Sequence, residues 1–132
     1  TTVIANYEEV GHGGAAGLPL ELHELVAVDM AAVGEGQNSD EYSVGICAKD
    51  AGGPYHTDLT RKLRTLADKA GIPYKVDIYP HYGSDGEAYW HAGGAAQVAL
   101  IGPGVDASHA YERTHRESLL HSAHLIARFV LS

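Results

Sequence analysis

Residues 57–79, TDLTRKLRTLADKAGIPYKVDIY, contain one complete helix–turn–strand unit, and this unit decides the fold class. An apolar stripe at helical spacing predicts a helix over residues 57–70, which Gly71 and Pro73 end. The apolar run at residues 74–79 then predicts a strand. The stripe consists of Leu59, Leu63, Leu66, Ala67 and Ala70. A helix that leads directly into a buried strand is typical of an α/β protein.

The same alternation extends over the whole chain. Further short apolar runs predict strands at residues 2–7, 25–29, 42–48 and 97–101. Helical patterns predict helices at residues 85–93 and 115–131, and a helical turn fits the glycine-rich residues 13–23. The apolar stripe of the last helix consists of Leu119, Leu120, Ala123, Ala127 and Val130. We therefore expect residues 1–132 to form a single α/β unit. Its architecture should be a three-layer αβα sandwich with a mixed, mostly parallel sheet of about five strands.

The composition is that of an ordinary globular chain with an acidic balance. Of its 132 residues, 45% are hydrophobic, which is enough for one core, and the formal net charge is −8. An acidic chain lacks the basic footprint that nucleic acids and anionic membranes require, so we expect neither as a partner. No apolar run reaches the ~18 residues of a membrane span. Cys47 is the only cysteine, which favours a reducing, cytoplasmic location.

Polar residues follow three of the predicted strands, at the point where each strand ends. Glu8 and Glu9 follow the first apolar run, Asp29 ends the second, and His109 lies in the segment after residues 97–101. If these strands are parallel, their carboxyl ends meet at one edge, where open α/β sheets bind ligands. Carboxylate and imidazole side chains together suit zinc, cobalt or manganese. The sequence therefore predicts a metal site formed by these four residues.

The two adjacent glutamates can serve different roles at such a site. Because the chain bends at a strand end, one glutamate can bind a metal while its neighbour faces a water on that metal. A divalent ion lowers the pKa of its water toward ~7, and a nearby carboxylate can accept the proton. Glu8 would be this general base and Glu9 the ligand. Each residue alone also has a simpler interpretation, because adjacent glutamates are often a solvated strand end and Asp29 can cap a turn.

Other polar residues are weaker candidates. Ser84 and Asp85 lie at the start of the predicted helix at residues 85–93. They form either a plain N-cap or a loop that supports the site or lines a substrate pocket. The histidines of the last predicted helix lie opposite its leucines, on a face that we expect to be solvated. Cys47 lies within a predicted strand without an activating partner, and we expect it in the core.

Four motifs, taken in order along the chain, resemble those of one enzyme family. They are YEEVGHGGAAG at residues 7–17, VAVDM at 26–30, GSDGEA at 83–88 and ASHAYERTH at 107–115. In order and approximate spacing they resemble the signatures of the tetrahedral and glutamyl aminopeptidases, which are co-catalytic metallopeptidases. The family usually carries HSPVE where this sequence has HAYERTH, and Glu112 is the nearby glutamate. The resemblance covers essentially the whole chain.

The resemblance implies a role for each residue of the predicted site. Glu8 would be the general base, Glu9 and His109 would bind one metal ion, and Asp29 would bind the second. The two divalent ions would be zinc, with cobalt or manganese as alternatives. The implied reaction is removal of the N-terminal amino acid from a peptide substrate, and the implied assembly is a homo-oligomer.

The resemblance is confined to the C-terminal half of the family's catalytic domain. The family's N-terminal part supplies a His-x-Asp motif and a bridging aspartate, and a smaller inserted domain drives oligomerisation. No such segment precedes Thr1 and the inserted domain is also absent, so we expect an incomplete part of a metal-dependent aminopeptidase that is inactive alone. It would be an excised piece or a natural truncation. Two alternatives remain open: a non-catalytic binding or scaffold domain of the same fold, and a zinc amidohydrolase or deacylase.

Overall fold

The computed structural model describes residues 1–132 and contains a sheet of six strands with three α-helices. The strands are β1 (Glu24–Val28), β2 (Ala31–Val33), β3 (Val44–Asp50), β4 (Gly53–Pro54), β5 (Tyr74–Tyr79) and β6 (Gln97–Asp106). The helices are α1 (Thr57–Ala70), α2 (Asp85–His91) and α3 (Arg116–Val130). Two short 3-10 helices, Glu8–Val10 and Gly13–Ala15, precede β1. None of the helices is long and apolar enough to cross a membrane.

The sheet is mixed, as predicted. Its strands lie in the order β1–β6–β3–β4, with β2 also paired to β6 and β5 also paired to β3. The pairings β1–β6, β2–β6 and β3–β5 are parallel, whereas β3 is antiparallel to both β6 and β4. Because β1 and β6 run in the same direction, their carboxyl ends open at the same edge of the sheet. Ligand sites of α/β proteins form at such an edge.

Two apolar cores, one on each face of the sheet, produce the three layers. Successive residues of β6 point to opposite faces, so Val98 and Leu100 enter one core while Ala99 and Ile101 enter the other. Tyr89 of α2 belongs to the first core, and residues of α1 and α3 complete the second. The predicted αβα sandwich is therefore confirmed.

Helix α1 forms at the predicted residues and buries the predicted stripe. Leu59, Leu63 and Ala67 are buried, and the other two residues of the stripe pack at the margin of the same core. The helix ends at Gly71, whose φ of 64° lies in the left-handed region that glycine adopts without steric cost. The periodicity of residues 57–70 was thus a reliable guide to both the helix and its orientation.

Helix α3 forms where predicted but buries a different face from the predicted one. Ser118, Ser122 and Leu125 are buried against the sheet. Leu119 and Leu120, which belong to the predicted apolar stripe, are 49% and 54% exposed. The predicted stripe therefore lies on the exposed side, whereas Leu125, Ile126 and Phe129 pack in the second core.

A buried hydroxyl on the same face adds two hydrogen bonds to this packing. Ser118 Oγ accepts the N–H of Gly104 on β6 at 2.8 Å and donates to the carbonyl oxygen of Ser43, just before β3, at 2.7 Å. Both backbone groups would otherwise lack a partner in the interior, which costs about 1–3 kcal/mol each. The small serine side chain also lets the helix lie close to the sheet.

The strand predicted at residues 2–7 is wrong. Residues 1–5 have no regular secondary structure, and Ile4 is 95% exposed. A strand is stable only when another strand takes up its backbone hydrogen bonds. Each paired strand of the sheet lies C-terminal to this segment and none pairs with it, so its apolar composition alone does not make it a strand.

Strand β6 is longer than predicted, because the Gly-Pro-Gly segment at residues 102–104 lies inside the strand and not in a loop. A Cβ atom on Gly102 would lie 1.6 Å from the carbonyl oxygen of Asp29, and one on Gly104 would lie 1.8 Å from that of Asp40. These glycines therefore permit close approach of two backbones. They continue the strand to the edge where the candidate site residues lie.

Candidate functional site

A cavity of about 350 Å³ lies at the carboxyl end of β1. All seven residues that the sequence analysis selected line it: Glu8, Glu9, Asp29, Ser84, Asp85, His109 and Glu112. Six of its 15 lining residues are carboxylates, and none is lysine or arginine. The cavity is therefore strongly negative and suited to a cationic ligand.

Glu9 and His109 meet across this cavity. His109 Nε2 lies 3.0 Å from Glu9 Oε2, although 100 residues separate them in the sequence. The loop that follows β6 is held by further contacts, because Glu112 Oε1 accepts the backbone N–H of His109 at 3.1 Å. Ser108 Oγ lies 2.9 Å from His109 Nδ1. An imidazole and a carboxylate are thus placed side by side with their polar atoms directed at one point.

The backbone at both sides of this contact is in an uncommon conformation. Tyr7, which precedes Glu8, has a φ of 66°, and His109 itself has a φ of 65°. A left-handed conformation costs a residue other than glycine roughly 1 kcal/mol or more. Such conformations cluster at functional sites, where the surrounding structure over-determines them. Here they orient the side chains of the two adjacent glutamates and of His109.

Asp29 follows β1 directly and is held by its own backbone turn. Its Oδ1 accepts the N–H of Met30 at 2.6 Å. Tyr82, which the sequence analysis missed, also lines the cavity and donates its hydroxyl to the Met30 carbonyl oxygen at 2.6 Å. Gly102 lies against the Asp29 carbonyl on the other side. The Asp29–Met30 turn is thus fixed from two directions.

The carboxylates of the cavity make each other harder to ionise. The pKa of Glu8 is raised to about 7, first by desolvation and then by the negative charges of Asp29, Asp85 and Glu9. Burial also raises the pKa of Asp29, with smaller contributions from Glu9 and Asp85. Both shifts are opposed by His109. A bound cation would relieve this repulsion.

The donor set fits part of a metal site. Glu9 and His109 provide one oxygen and one nitrogen ligand, and Asp29 provides a separate oxygen ligand on the same cavity. No group of three or more histidine, cysteine or acidic side chains in the chain is arranged to hold a metal ion. A catalytic zinc site normally has three protein ligands. Glu9, His109 and Asp29 therefore have the chemistry to hold a metal ion, but they do not form a group of three around one point.

Ser84 is the N-cap of α2, as the simpler of the two interpretations predicted. Its Oγ accepts the N–H of Gly86 at 3.0 Å and lies 2.7 Å from the hydroxyl of Tyr55. That hydroxyl donates to Asp50, which is fully buried. No sequence pattern pointed to this chain of hydrogen bonds. Asp50 ends β3, which runs antiparallel to β6, so the rule that selected Asp29 and His109 does not apply to it.

Asp85 turns away from the helix that it begins. Its Oδ1 accepts the backbone N–H of Gly14 in the second 3-10 helix, close to the two glutamates. A Cβ on Gly14 would lie 2.1 Å from the Asp85 carbonyl oxygen, so only glycine allows this approach. The start of α2 is therefore packed directly onto the segment that carries Glu8 and Glu9.

The fold and the cavity define an α/β sandwich protein with a ligand site beyond the carboxyl ends of its strands. Comparison with known families is more specific: residues 1–125 match the M42 glutamyl aminopeptidase family. The chain therefore belongs to this family. It is also similar to the Bacillus subtilis (strain 168) protein named "Putative aminopeptidase YhfE", with 55% identity over 130 residues.

Solved structures share the fold at lower identity. PhTET1-12s, a dodecamer, superposes with a TM-score of 0.82 at 22% identity over 95% of this chain and 39% of its own. An aminopeptidase from the archaeon Desulfurococcus kamchatkensis, APDkam598, gives a TM-score of 0.80 at 18% identity, covering 92% of this chain and 38% of its own. At these identities the likeness concerns the fold.

The match covers only part of each relative. The alignment with YhfE spans 98% of this chain but 38% of that protein. The family and the fold are thus established for residues that make up well under half of the relatives' length.

Proposed function

We propose that this chain forms part of the active site of a metal-dependent aminopeptidase. The observation that carries the proposal is the contact of Glu9 with His109 on the wall of a cavity that Glu8 and Asp29 also line. Membership of the M42 glutamyl aminopeptidase family supports the same reaction. The excess of carboxylates around the cavity supports a cationic cofactor.

Glu9 and His109 would hold one divalent ion, and Asp29 would hold a second. Zinc suits this mixture of carboxylate and imidazole, and cobalt and manganese accept the same donors. When bound, such ions polarise the scissile carbonyl group and acidify the attacking water. The backbone hydrogen bonds to Asp29 and His109 orient these ligands before any ion arrives.

Glu8 would act as the general base. Its carboxylate lies on the cavity wall, where it can accept a proton from the attacking water and deliver it to the departing amine. A pKa raised to about 7 brings this group near neutral pH, where a carboxyl group can both accept and return a proton. Neutralisation of its neighbours by bound ions would move that pKa downward.

The remaining ligands would come from outside these residues. We propose that residues 1–132 are the C-terminal part of a catalytic domain and that a further segment completes the metal site. The share of YhfE that the chain spans, 38%, is consistent with this division. The isolated chain would accordingly lack activity.

Assembly and location follow the same proposal. PhTET1-12s is a dodecamer, and the TET1 peptidase of Pyrococcus horikoshii can assemble into a tetrahedron or a large octahedral shell. We infer that the complete enzyme is a homo-oligomer that acts on peptides. The free, buried thiol of Cys47 is consistent with a cytoplasmic location.

The test is an aminopeptidase assay on the complete polypeptide that carries this chain. Peptides with a free N-terminus should lose their first residue, whereas the same peptides with an acetylated N-terminus should be stable. A chelator should abolish the reaction, and zinc, cobalt or manganese should restore it.

Two results would favour the alternatives. Hydrolysis of N-acylated amino acids without release of residues from free peptides would indicate an amidohydrolase. Metal or peptide binding without turnover of either substrate class would indicate a binding domain.

A further inference from the structure

We propose that Asp85 is a positioning residue that holds the general base Glu8 in place through the backbone of Gly13 and Gly14. This inference rests on the proposed function and assigns a role to a residue that lies outside the proposed metal ligands. The role is mechanical, because the Asp85 carboxylate accepts a backbone N–H from the segment on which Glu8 is mounted.

The packing around Gly13 transmits this contact to Glu8. A Cβ on Gly13 would lie 2.6 Å from Asp85 Oδ1 and 2.8 Å from the backbone nitrogen of Glu8. Gly13 is therefore enclosed between the Asp85 carboxylate and the Glu8 backbone, and both Gly13 and Gly14 are buried. A shift of the carboxylate would leave the glutamate backbone without this support.

Asp85 is itself anchored in the body of the protein. Asp85 is the first residue of α2. The N-cap of this helix, Ser84, forms a hydrogen bond with the hydroxyl of Tyr55. Tyr55 is 4% exposed and donates to Asp50, which is 0% exposed. A continuous line of hydrogen bonds thus runs from the core to the start of α2, and the Asp85 side chain extends it to Gly14.

The segment that carries Glu8 has few other attachments. Residues 1–6 are exposed and form no regular secondary structure, and the Tyr7 carbonyl oxygen accepts only the nearby N–H groups of Val10 and His12. The side chain of Glu9 is hydrogen-bonded to His109, whose side chain is 73% exposed. The part-buried hydrogen bond of Asp85 with Gly14, together with the packing of Gly14 against the Asp85 backbone, is therefore the main attachment near the glutamates. A displacement of a catalytic group by about 1 Å can cost ~10²-fold in rate, so this attachment matters for turnover.

N-capping alone does not explain the contact. Ser84 already caps α2 by accepting the N–H of Gly86. An aspartate in the first turn that interacted only with the helix dipole would direct its carboxylate to solvent at the N-terminus of the helix. The Asp85 carboxylate instead accepts a hydrogen bond from the N–H of Gly14, which lies 71 positions away in the sequence.

The experiment compares Asp85→Ala and Asp85→Asn in the complete, metal-loaded enzyme. Asparagine keeps an oxygen that can accept the Gly14 N–H, whereas alanine removes it. We expect Asp85→Ala to lower kcat by roughly 10–100-fold with a much smaller change in KM, because the base is misplaced while substrate contacts persist. Asp85→Asn should recover kcat to within a few-fold of the unsubstituted enzyme.

A second readout does not depend on turnover. Hydrogen exchange at the Gly14 amide should accelerate in Asp85→Ala and stay slow in Asp85→Asn. Asp68→Ala, an exposed aspartate on α1 far from the cavity, is the matched control and should change neither readout.

Several outcomes would overturn the inference. The first is an unchanged kcat in Asp85→Ala, and the second is unchanged exchange at Gly14 in that variant. The third is an Asp85→Asn enzyme as slow as the alanine variant, which would assign the effect to the charge of Asp85. If Asp85→Ala does not fold, Asp85→Glu replaces it: the longer side chain displaces the oxygen by one methylene and should still accelerate exchange at Gly14, and unchanged exchange in that variant would overturn the inference. Absence of turnover in the unsubstituted enzyme would instead contradict the proposed aminopeptidase function, and Gly14 exchange would still measure the anchor.

Discussion

His109 and Glu9 lie 100 residues apart in the chain, and their side chains meet with Nε2 3.0 Å from Oε2. Both side chains are more than 70% exposed, at 73% and 78%. An exposed ion pair of this kind contributes only ~0–1 kcal/mol to stability. Two uncommon backbone conformations nevertheless support the pair, at Tyr7 and at His109 itself. This arrangement supports the proposal that Glu9 and His109 act as a pair of metal ligands.

Replacement of Glu8 by glutamine should separate metal binding from catalysis. Glutamine keeps the shape of the side chain but cannot accept the proton of the attacking water. In the complete enzyme we expect kcat to fall by ~10²–10⁴-fold while the bound metal content stays the same. Turnover of an aminoacyl anilide, together with metal analysis of the purified variant, measures both. Retained activity would assign the base to another residue.

The isolated 132-residue chain should bind zinc weakly and show no peptidase activity. Glu9 and His109 would supply two ligands to one ion and Asp29 one ligand to the other, with water at the remaining positions. Binding should fall well short of the ~10–16 kcal/mol of structural zinc sites. Calorimetry with zinc and an aminopeptidase assay on this chain check the prediction. Tight binding of two ions, or turnover that a chelator abolishes, would show that the chain carries a complete site.

The metal-free chain should become less stable as the pH rises from about 4.5 toward 7, through its effect on Glu8. The pKa of Glu8 is raised from 4.5 to about 7 on folding, mainly by desolvation. Between these values the folded state binds more protons than the unfolded state, so raising the pH favours unfolding. Thermal unfolding with a chelator present measures this effect. Glu8→Gln should flatten this part of the profile, and an identical profile would show that Glu8 is not perturbed.

Gly102→Ala should destabilise the chain and displace Asp29. The new Cβ would lie 1.6 Å from the Asp29 carbonyl oxygen, so the backbone of β6 or of the Asp29–Met30 turn must move. Overpacking of this kind typically costs about 1–3 kcal/mol. Gly34→Ala is the control, because nothing lies within 4 Å of its Cβ position. Chemical unfolding of both variants tests the difference, and equal stabilities would contradict the close approach.

Two buried serines of α3 should respond differently to alanine. Ser118 bridges Gly104 and Ser43, so Ser118→Ala leaves two buried backbone groups unpaired and should cost about 2–3 kcal/mol. The Ser122 hydroxyl is buried without a partner, so Ser122→Ala should be neutral or slightly stabilising. Thermal unfolding of the two variants compares them. A Ser118 variant as stable as the Ser122 variant would contradict the role assigned to the bridge.

The sequence predicted the layers of the fold well because they depend on local periodicity. The stripe of α1 and the alternating residues of β6 each bury the side chains that a period of 3.6 or 2 selects. The rule that polar residues after a strand gather at one edge led to Asp29 and His109, which line one cavity together with Glu8 and Glu9. Glu8 and Glu9 lie there although residues 2–7, which precede them, form no strand.

Prediction failed where a residue's environment depends on distant parts of the chain. Residues 2–7 have the composition of a strand, but a strand needs a partner that no local pattern can supply. The Gly-Pro-Gly segment reads as a loop, yet it continues β6 because other backbones approach it closely. On α3, the buried face combines the Ser118 hydrogen bonds with the apolar side chains of Leu125, Ile126 and Phe129, and the predicted stripe included none of these residues.

The sequence by itself determined the α/β class, the positions of the main helices and the residue types available at the strand ends, because side-chain period and chain breakers are local properties. Only the tertiary structure decided that Asp85 reaches Gly14, that Tyr82 and Gly102 fix the turn at Asp29, and that Glu9 meets His109. These contacts join residues far apart in sequence, and their geometry depends on how loops and sheet edges pack. A sequence pattern shows which residue types are available at such positions, but it does not give the distances between their side chains in the folded chain.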